Sequence, residues 1–212
     1  VSGDTNAATD VFLRDVPAGV TVLVSADAGS GAADGPSAHP AISGAEGVLD
    51  GLHVAFESAA TDLVAGDTNG QTDVFVFDYD PAAHTGAVAR IGAAADGGST
   101  APALSDDGRW VAFQSDGSDL AGGDTNGIGD IFIHDRTSGV TWRVIGPNGE
   151  GNDASYQPSF SPDGRFVAFV SMASNLVVSG SGGDTNELPD VFAYDRETGA
   201  IERLSFRAET VQ

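Results

Sequence analysis

The sequence is built from one unit that repeats along its whole length. The tetrapeptide Gly-Asp-Thr-Asn occurs four times, and an Asp follows each copy at the same distance. The copies begin at Gly3, Gly66, Gly123 and Gly183, so the intervals between them are 63, 57 and 60 residues. Each of these Asp residues opens a hydrophobic run of the form Asp-Val/Ile-Phe. A period of this size predicts one cooperative array of similar units rather than separate domains.

Each unit contains four short apolar segments. In the last unit they are residues 157–161, 166–169, 191–193 and 200–204, and Gly, Pro, Asp or Ser bounds each of them. This pattern is typical of short antiparallel strands, and no segment shows helical periodicity. Four antiparallel strands per repeat predict an all-β fold, a β-propeller of four-stranded blades.

The repeat boundaries divide this single propeller segment into a half blade and three blades. We predict a half blade at 1–34 and blades at 35–96, 97–152 and 153–212, with about fourteen strands in all. Propellers typically close with four to eight blades, so about three and a half blades predict a partial or open ring. Val1 aligns with Val64, in the middle of a unit, and we therefore expect the sequence to be a piece of a longer protein.

The net charge of the chain limits the kinds of molecule that it can bind. The chain has 31 acidic residues, nine Arg and no Lys, and its formal net charge is −22. Such a charge repels nucleic acid and anionic membrane surfaces, so we expect neither a nucleic-acid partner nor membrane insertion. Divalent cations and cationic partners are favoured instead, although solubility in an extracellular or salty medium explains the charge equally well.

The repeated loop carries candidate metal ligands. Asp67, Asn69 and Asp73 place three oxygen donors within seven residues, and Ca²⁺ prefers such hard donors. The same trio recurs as Asp4, Asn6 and Asp10, as Asp124, Asn126 and Asp130, and as Asp184, Asn186 and Asp190. Asp62 and Asp119, five residues upstream of the first ligand, are further candidates.

A second interpretation of the loop needs no metal. Asp and Asn side chains bond the backbone of their own loop in Asx-turns, and the last Asp then caps the third strand. Both interpretations predict recurrence in every blade, so both stay open. Two Asp residues on one loop repel each other unless a cation or several donors offset them, and this favours Ca²⁺ as the cofactor.

Catalytic patterns are missing from the sequence. The four His residues fall at four non-equivalent positions of the repeat, and no Ser lies in a Gly-x-Ser-x-Gly elbow. We therefore predict a protein that is not an enzyme, without catalytic residues and without residues that bind an organic cofactor.

One turn carries a resemblance to a known family. The run Ser-Pro-Asp-Gly-Arg-Phe-Val-Ala-Phe at 161–169 is echoed at 105–113, although the second unit lacks its Pro-Asp-Gly-Arg turn. These runs resemble the WD40-like PD40 repeats of TolB and related β-propellers. The Gly-Asp-Thr-Asn loop is not general in TolB and resembles a subfamily of large secreted or surface bacterial proteins.

The resemblance implies a bacterial protein that is secreted, on the cell surface or periplasmic, and that binds other macromolecules. It brings no catalytic residues. The expected function is a binding or structural module for protein–protein or surface interactions, stabilised by calcium. The expected partner is another protein, another copy, or the remaining part of the same protein that closes the ring. The alternative is the non-catalytic propeller of a larger secreted hydrolase or lyase.

Overall fold

The computed structural model describes residues 5–29, 31–44, 51–92, 95–178 and 188–205. This part of the chain contains fourteen strands and no helix. The strands are β1 (Phe12–Asp15), β2 (Val20–Leu23), β3 (Ser37–Ile42), β4 (His53–Ser58), β5 (Asp73–Asp80), β6 (Thr85–Arg90), β7 (Ser99–Leu104), β8 (Trp110–Ser115), β9 (Asp130–Asp135), β10 (Val140–Arg143), β11 (Ser155–Phe160), β12 (Phe166–Ser171), β13 (Asp190–Asp195) and β14 (Ile201–Arg203).

The strands form four antiparallel sheets. The strand pair β1–β2 forms blade 1, and β3–β6, β7–β10 and β11–β14 form blades 2, 3 and 4, with neighbours in sequence paired in space. This confirms the predicted all-β fold of propeller blades. In blade 1 only the third and fourth strands lie within the described residues.

A stacked pair of phenylalanines fills the centre of each four-stranded blade. Phe56 lies opposite Phe75 with ring centroids 5.7 Å apart, and blades 3 and 4 repeat the pair at 5.9 and 5.7 Å. These rings are almost fully buried. Because the same residues recur at the same register, the centres of these blades pack in the same way.

The blades pack face to face, and each interface is a hydrophobic core. Between blades 2 and 3, the core contains Val74 and Val76 from one blade and Val111, Phe113 and Phe132 from the next. Similar cores join blade 1 to blade 2 and blade 3 to blade 4. Alternating small and large residues permit this close stacking of twisted sheets.

The first strands of the blades lie on a common side of the array. Strand β7 contacts both β3 and β11, which are the first strands of the neighbouring blades. In blades 2 and 3 the Gly-Asp-Thr-Asn loop lies between the second and third strands. No helix in the described residues is long and apolar enough to cross a membrane.

Candidate functional site

The Asn of each described Gly-Asp-Thr-Asn loop forms an Asx-turn. Asn69 Oδ1 accepts a hydrogen bond from the backbone N–H of Gln71 at 3.0 Å, and Asn126 Oδ1 accepts one from Ile128 at 2.8 Å. Asn6 forms the same turn. The Nδ2 groups of the three Asn donate to the carbonyls of Ala33, Ala95 and Gly151, at 2.7, 3.1 and 2.7 Å. These side chains therefore fasten each loop to the segment that leads into the next blade.

An Arg at the end of the fourth strand supplies a cation beside the loop carboxylates. Arg90 Nη1 lies 3.1 Å from Asp67 Oδ1 and 3.2 Å from Asp73 Oδ2. In blade 4, Arg203 Nη1 lies 2.9 Å from Asp190 Oδ2. The sequence analysis did not predict these Arg residues as partners of the loop carboxylates. The signal was present, because such an Arg follows the last loop Asp by 17, 13 and 13 residues in blades 2, 3 and 4.

The loop of blade 3 gathers three carboxylates around one guanidinium. Arg143 Nη1 lies 3.0 Å from Asp130 Oδ2, 2.9 Å from Glu150 Oε2 and 3.4 Å from Asp124 Oδ1. Ligand oxygens of the three acids lie within 4.8 Å of one another, so this group, the loop triad, can hold a metal ion. Glu150 was not predicted, because it comes from the segment that leads into blade 4.

The loop triad carries more negative charge than Arg143 offsets. The side chain of Asp124 is 1% exposed, and its Oδ2 has no hydrogen-bond partner. Burial is the largest of the causes that raise the pKa of Asp130 to about 6; Asp124 and Glu150 add to it and Arg143 opposes it. A buried carboxylate oxygen without a hydrogen-bond donor, beside two further carboxylates, is a position where a cation would offset charge.

The first loop lacks the arginine. Leu23 lies opposite Phe12 in the register, where blade 2 places Arg90 opposite Phe75. Oδ1 of Asp10 accepts the Ser25 hydroxyl at 2.8 Å, whereas its Oδ2 is buried and has no hydrogen-bond partner. The missing guanidinium explains this unpaired oxygen.

Some of the remaining candidate ligands are not described by the structure, and the others bond a different loop. Asp4, Asp184 and Asn186 lie outside the described residues. Asp62 and Asp119 each accept a backbone N–H from the loop that leads into the first strand of their own blade, at 3.0 and 2.9 Å. These two carboxylates therefore fasten a different loop.

A second candidate site lies along the first strands. Each of these strands has a register shift at an X-Pro step, and the residue before Pro has a left-handed backbone. The φ angles are 49° for His39, 51° for Ala101 and 55° for Gln157. Such angles are uncommon for residues other than Gly, and a following Pro restricts them further. Strained backbone at three equivalent positions marks this surface for function.

These bulges line a cavity of about 670 Å³, the axial cavity, formed by residues of β3, β4, β7 and β11. His39 Nδ1 lies 2.8 Å from Glu57 Oε1, and Glu57 Oε2 accepts the backbone N–H of Ala101 at 2.8 Å. The carboxylate thus orients an imidazole that is 72% exposed and leaves its Nε2 available. Gln157, also exposed, adds an amide. The cavity can therefore exchange hydrogen bonds with a bound group.

Solved structures share this fold. A TolB structure from Acinetobacter baumannii has a TM-score of 0.51 and 20% identity, over 93% of this chain and 38% of that chain. A structure from an analysis of two prolyl endopeptidases has a TM-score of 0.50 and 14% identity, over 92% of this chain and 25% of the other. A putative TolB from Agrobacterium tumefaciens has a TM-score of 0.44 and 18% identity, over 74% and 43%.

The chain spans less than half the length of each of these structures. The likeness to the Acinetobacter protein shows a TolB-like propeller fold. No protein-family model matches the sequence. No curated protein matches it significantly. Membership of the PD40 repeat family and of the loop subfamily therefore stays a prediction.

Proposed function

We propose that this chain is a non-catalytic binding module of a bacterial protein that works outside the cytoplasm, secreted, on the cell surface or in the periplasm. Its partner is another protein, which contacts the axial cavity. The observation that supports this role is the row of bulged first strands, which present His39 and Gln157 on strained backbone in an open cavity of about 670 Å³. The TolB-like fold agrees with such a role.

Blocking the cavity tests this proposal. The immobilised chain is incubated with protein extract of its source organism. The variant Gln157→Trp and a control variant, Glu202→Trp, are treated in the same way, and Glu202 lies on the outer strand β14. Proteins that bind the cavity are retained by the parent and the control and lost by Gln157→Trp. A retained set that Gln157→Trp leaves unchanged overturns the proposal, as does turnover of peptide or glycan substrates by the purified chain.

The alternative function is the non-catalytic propeller of a larger secreted hydrolase or lyase. The likeness in fold to a prolyl endopeptidase structure, with a TM-score of 0.50, supports it. Sequencing the gene on both sides of this segment separates the two functions. An adjoining catalytic domain favours the alternative, whereas further repeats or adhesion modules favour the binding module.

We also propose that Ca²⁺ binds the loop triad of blade 3, beside Arg143. Asp124 Oδ2, buried and without a hydrogen-bond partner, supports this site, and carboxylate oxygens are the donors that Ca²⁺ prefers. The corresponding loop residues of the other units are proposed as weaker sites. In blade 2, for example, Arg90 contacts two carboxylates rather than three.

Thermal unfolding after chelation tests the calcium proposal, with millimolar Ca²⁺ added and Mg²⁺ as control. A cation that binds only the folded chain at a hundred times its Kd stabilises it by about 2.7 kcal/mol per site. For a domain of this length, the midpoint should rise by roughly 2–4 °C for each kcal/mol. Asp124→Asn should remove most of the rise, and Asp67→Asn should keep it. Equal shifts in both variants, or no shift specific to Ca²⁺, overturn the site.

A further inference from the structure

A tryptophan of the chain itself occupies the groove between the outer strands of blades 3 and 4. Trp142 lies on β10, and its indole meets the ring of Trp110 edge to face, with ring centroids 5.6 Å apart. It packs against the hydrophobic core between the two blades. Burial raises the pKa of the Tyr194 hydroxyl in blade 4, and a hydrogen bond from the Trp142 N–H opposes that rise. One indole ring thus contacts both blades at their outer edge.

The equivalent groove between blades 2 and 3 has an alanine in place of this tryptophan. Ala89 and Trp142 each precede the Arg that ends the fourth strand, and they pair with Val76 and Ile133 of the third strand. Val76 belongs to the core between blades 2 and 3. Because directly paired residues lie on one face of a sheet, Ala89 also faces blade 3. Ala89 is exposed, so its methyl group leaves this part of the groove open.

The opposite wall of this groove offers a hydrogen-bond acceptor. His134 pairs with Val111 as Tyr194 pairs with Val167, so the imidazole takes the place of the Tyr194 hydroxyl. His134 Nδ1 lies 2.8 Å from the Thr141 hydroxyl. Burial lowers the pKa of the His134 imidazole, which is therefore neutral near pH 7 and keeps one nitrogen as an acceptor. The wall can accept an N–H as blade 4 does.

These residues enclose a pocket of about 300 Å³, the outer pocket. Its lining includes Arg90, Leu120, His134 and Thr141. Blades 2 and 3 each have four strands among the described residues, so both walls are complete. An apolar cavity of about 150 Å³ takes up benzene, so the outer pocket has room for a bicyclic ring.

Charge narrows the ligand further. Asp119 also lines the outer pocket, and Arg90 is already paired with Asp67 and Asp73. Since the whole chain carries a net charge of −22, an anionic substituent on the ring would be repelled. The pocket therefore favours a neutral or cationic molecule.

We propose that the outer pocket binds a small molecule with an indole-type ring, in the position that the Trp142 side chain takes between blades 3 and 4. The ring N–H donates to Nε2 of His134, whose Nδ1–H donates to Thr141. The guanidinium of Arg90 lies against the ring face. The axial cavity is formed by other strands, so this inference goes beyond the proposed function and does not depend on it.

Titration calorimetry with indole as the probe tests the site. The parent should bind one indole per chain. Ala89→Trp places a covalent indole in the pocket and should abolish binding. Glu202→Trp, at the equivalent position of blade 4, should bind indole as the parent does. Urea unfolding should show that Ala89→Trp is at least as stable as the parent. A parent without saturable binding, or a folded Ala89→Trp variant that still binds indole, overturns the proposal.

A second pair of measurements tests the hydrogen bond to His134. His134→Phe should weaken the binding of indole by about two- to tenfold, the effect of one net hydrogen bond, and should leave the binding of 1-methylindole unchanged. In the parent, indole should shift the imidazole NMR signals of His134 and not those of His39. Equal effects of His134→Phe on both probes, or signals of His134 that do not respond, contradict the site.

A tryptophan-containing peptide distinguishes a small molecule from a protein segment. The tripeptide Gly-Trp-Gly carries the same ring, but the outer pocket is less than half as large as the axial cavity. The tripeptide should therefore bind more weakly than indole. Tighter binding of the tripeptide overturns the assignment to a small molecule.

Discussion

Gly108 and Gly139 have the same kind of backbone in different surroundings. Their φ angles are +66° and +73°, in the left-handed region that Gly tolerates best. A Cβ at Gly139 would meet nothing within 4 Å, whereas one at Gly108 would meet the ring of His53. The turn residue that the sequence predicts for a hairpin therefore also sets the distance between two blades.

We expect Gly108→Ala to destabilise the protein more than Gly139→Ala. Both variants carry the left-handed penalty of about 1–2 kcal/mol. Gly108→Ala adds the cost of overpacking an interface, typically about 1–3 kcal/mol. Urea unfolding of the two variants beside the parent measures the difference. Equal losses would show that His53 moves aside at no cost.

Asp130 makes stability depend on pH. Burial is the main reason that the pKa of its carboxyl rises from 3.8 to about 6 in the folded chain. Between pH 3.8 and about 6, the folded state therefore holds a proton that the unfolded state has released. The stability from this group is complete below about pH 4 and is lost as the pH rises through about 6. Urea unfolding from pH 4 to 7 should show this decline, and Asp130→Asn should flatten it.

The exposed Asp106→Asn serves as the control for the titration and should keep the full pH dependence. Carboxylates that pair with an arginine change the stability with pH in the opposite direction. The hydrogen bond from Arg109 lowers the pKa of Asp135 far below its usual range, so its contribution is lost only as the pH falls below about 4. An Asp130→Asn variant with the slope of the parent would contradict the assignment.

At the scale of the element, the fourth strand determines whether a loop has its own cation. Blades 2, 3 and 4 end this strand with an Arg that contacts the last loop Asp, and blade 1 has Leu23 there. We expect Leu23→Arg to stabilise the protein, because the guanidinium can reach the unpaired Oδ2 of Asp10. A hydrogen bond to a charged group contributes about 1.5–3 kcal/mol, and the partial burial of Leu23 reduces the net gain.

A double-mutant cycle with Asp10→Asn isolates this interaction. Urea unfolding should show that Leu23→Arg stabilises the parent protein. The same substitution should stabilise the Asp10→Asn variant much less. Equal effects in both backgrounds would mean that the new side chain finds another partner.

The strands themselves were predictable, and the bulges were not. Short apolar segments bounded by Gly, Pro, Asp or Ser predicted the four strands of blades 2, 3 and 4 at nearly their observed positions. The same segments did not predict the left-handed backbone of His39, Ala101 and Gln157. That conformation is unfavourable locally, and contacts such as the bond from the Ala101 N–H to Glu57 hold it in place.

At the scale of the whole molecule, the net charge of −22 acts against compact structure. We expect sodium chloride to raise the midpoint of urea unfolding, because the screening length falls from about 30 Å at 0.01 M to about 3 Å at 1 M. Long-range repulsion is screened first, whereas the buried Arg143 pairs are screened less.

A variant with reduced charge checks this explanation. Asp106→Asn, Asp116→Asn and Asp153→Asn together remove three exposed negative charges. This variant should unfold at higher urea than the parent in low salt and respond less to sodium chloride. A midpoint that falls with salt would show that the surface ion pairs outweigh the repulsion.

The sequence by itself determined the architecture of this protein. A repeat with one hydrophobic pattern can bury its apolar faces only by stacking copies, so strand number and blade order follow from local periodicity. The tertiary structure decided the chemistry of the loops. Asp124, Arg143 and Glu150 belong to three different segments, a loop, the end of β10 and the connection to blade 4, and the pairing of β9 with β10 helps to bring their charges together. Local pattern specifies strands, whereas contacts across strands and blades specify sites.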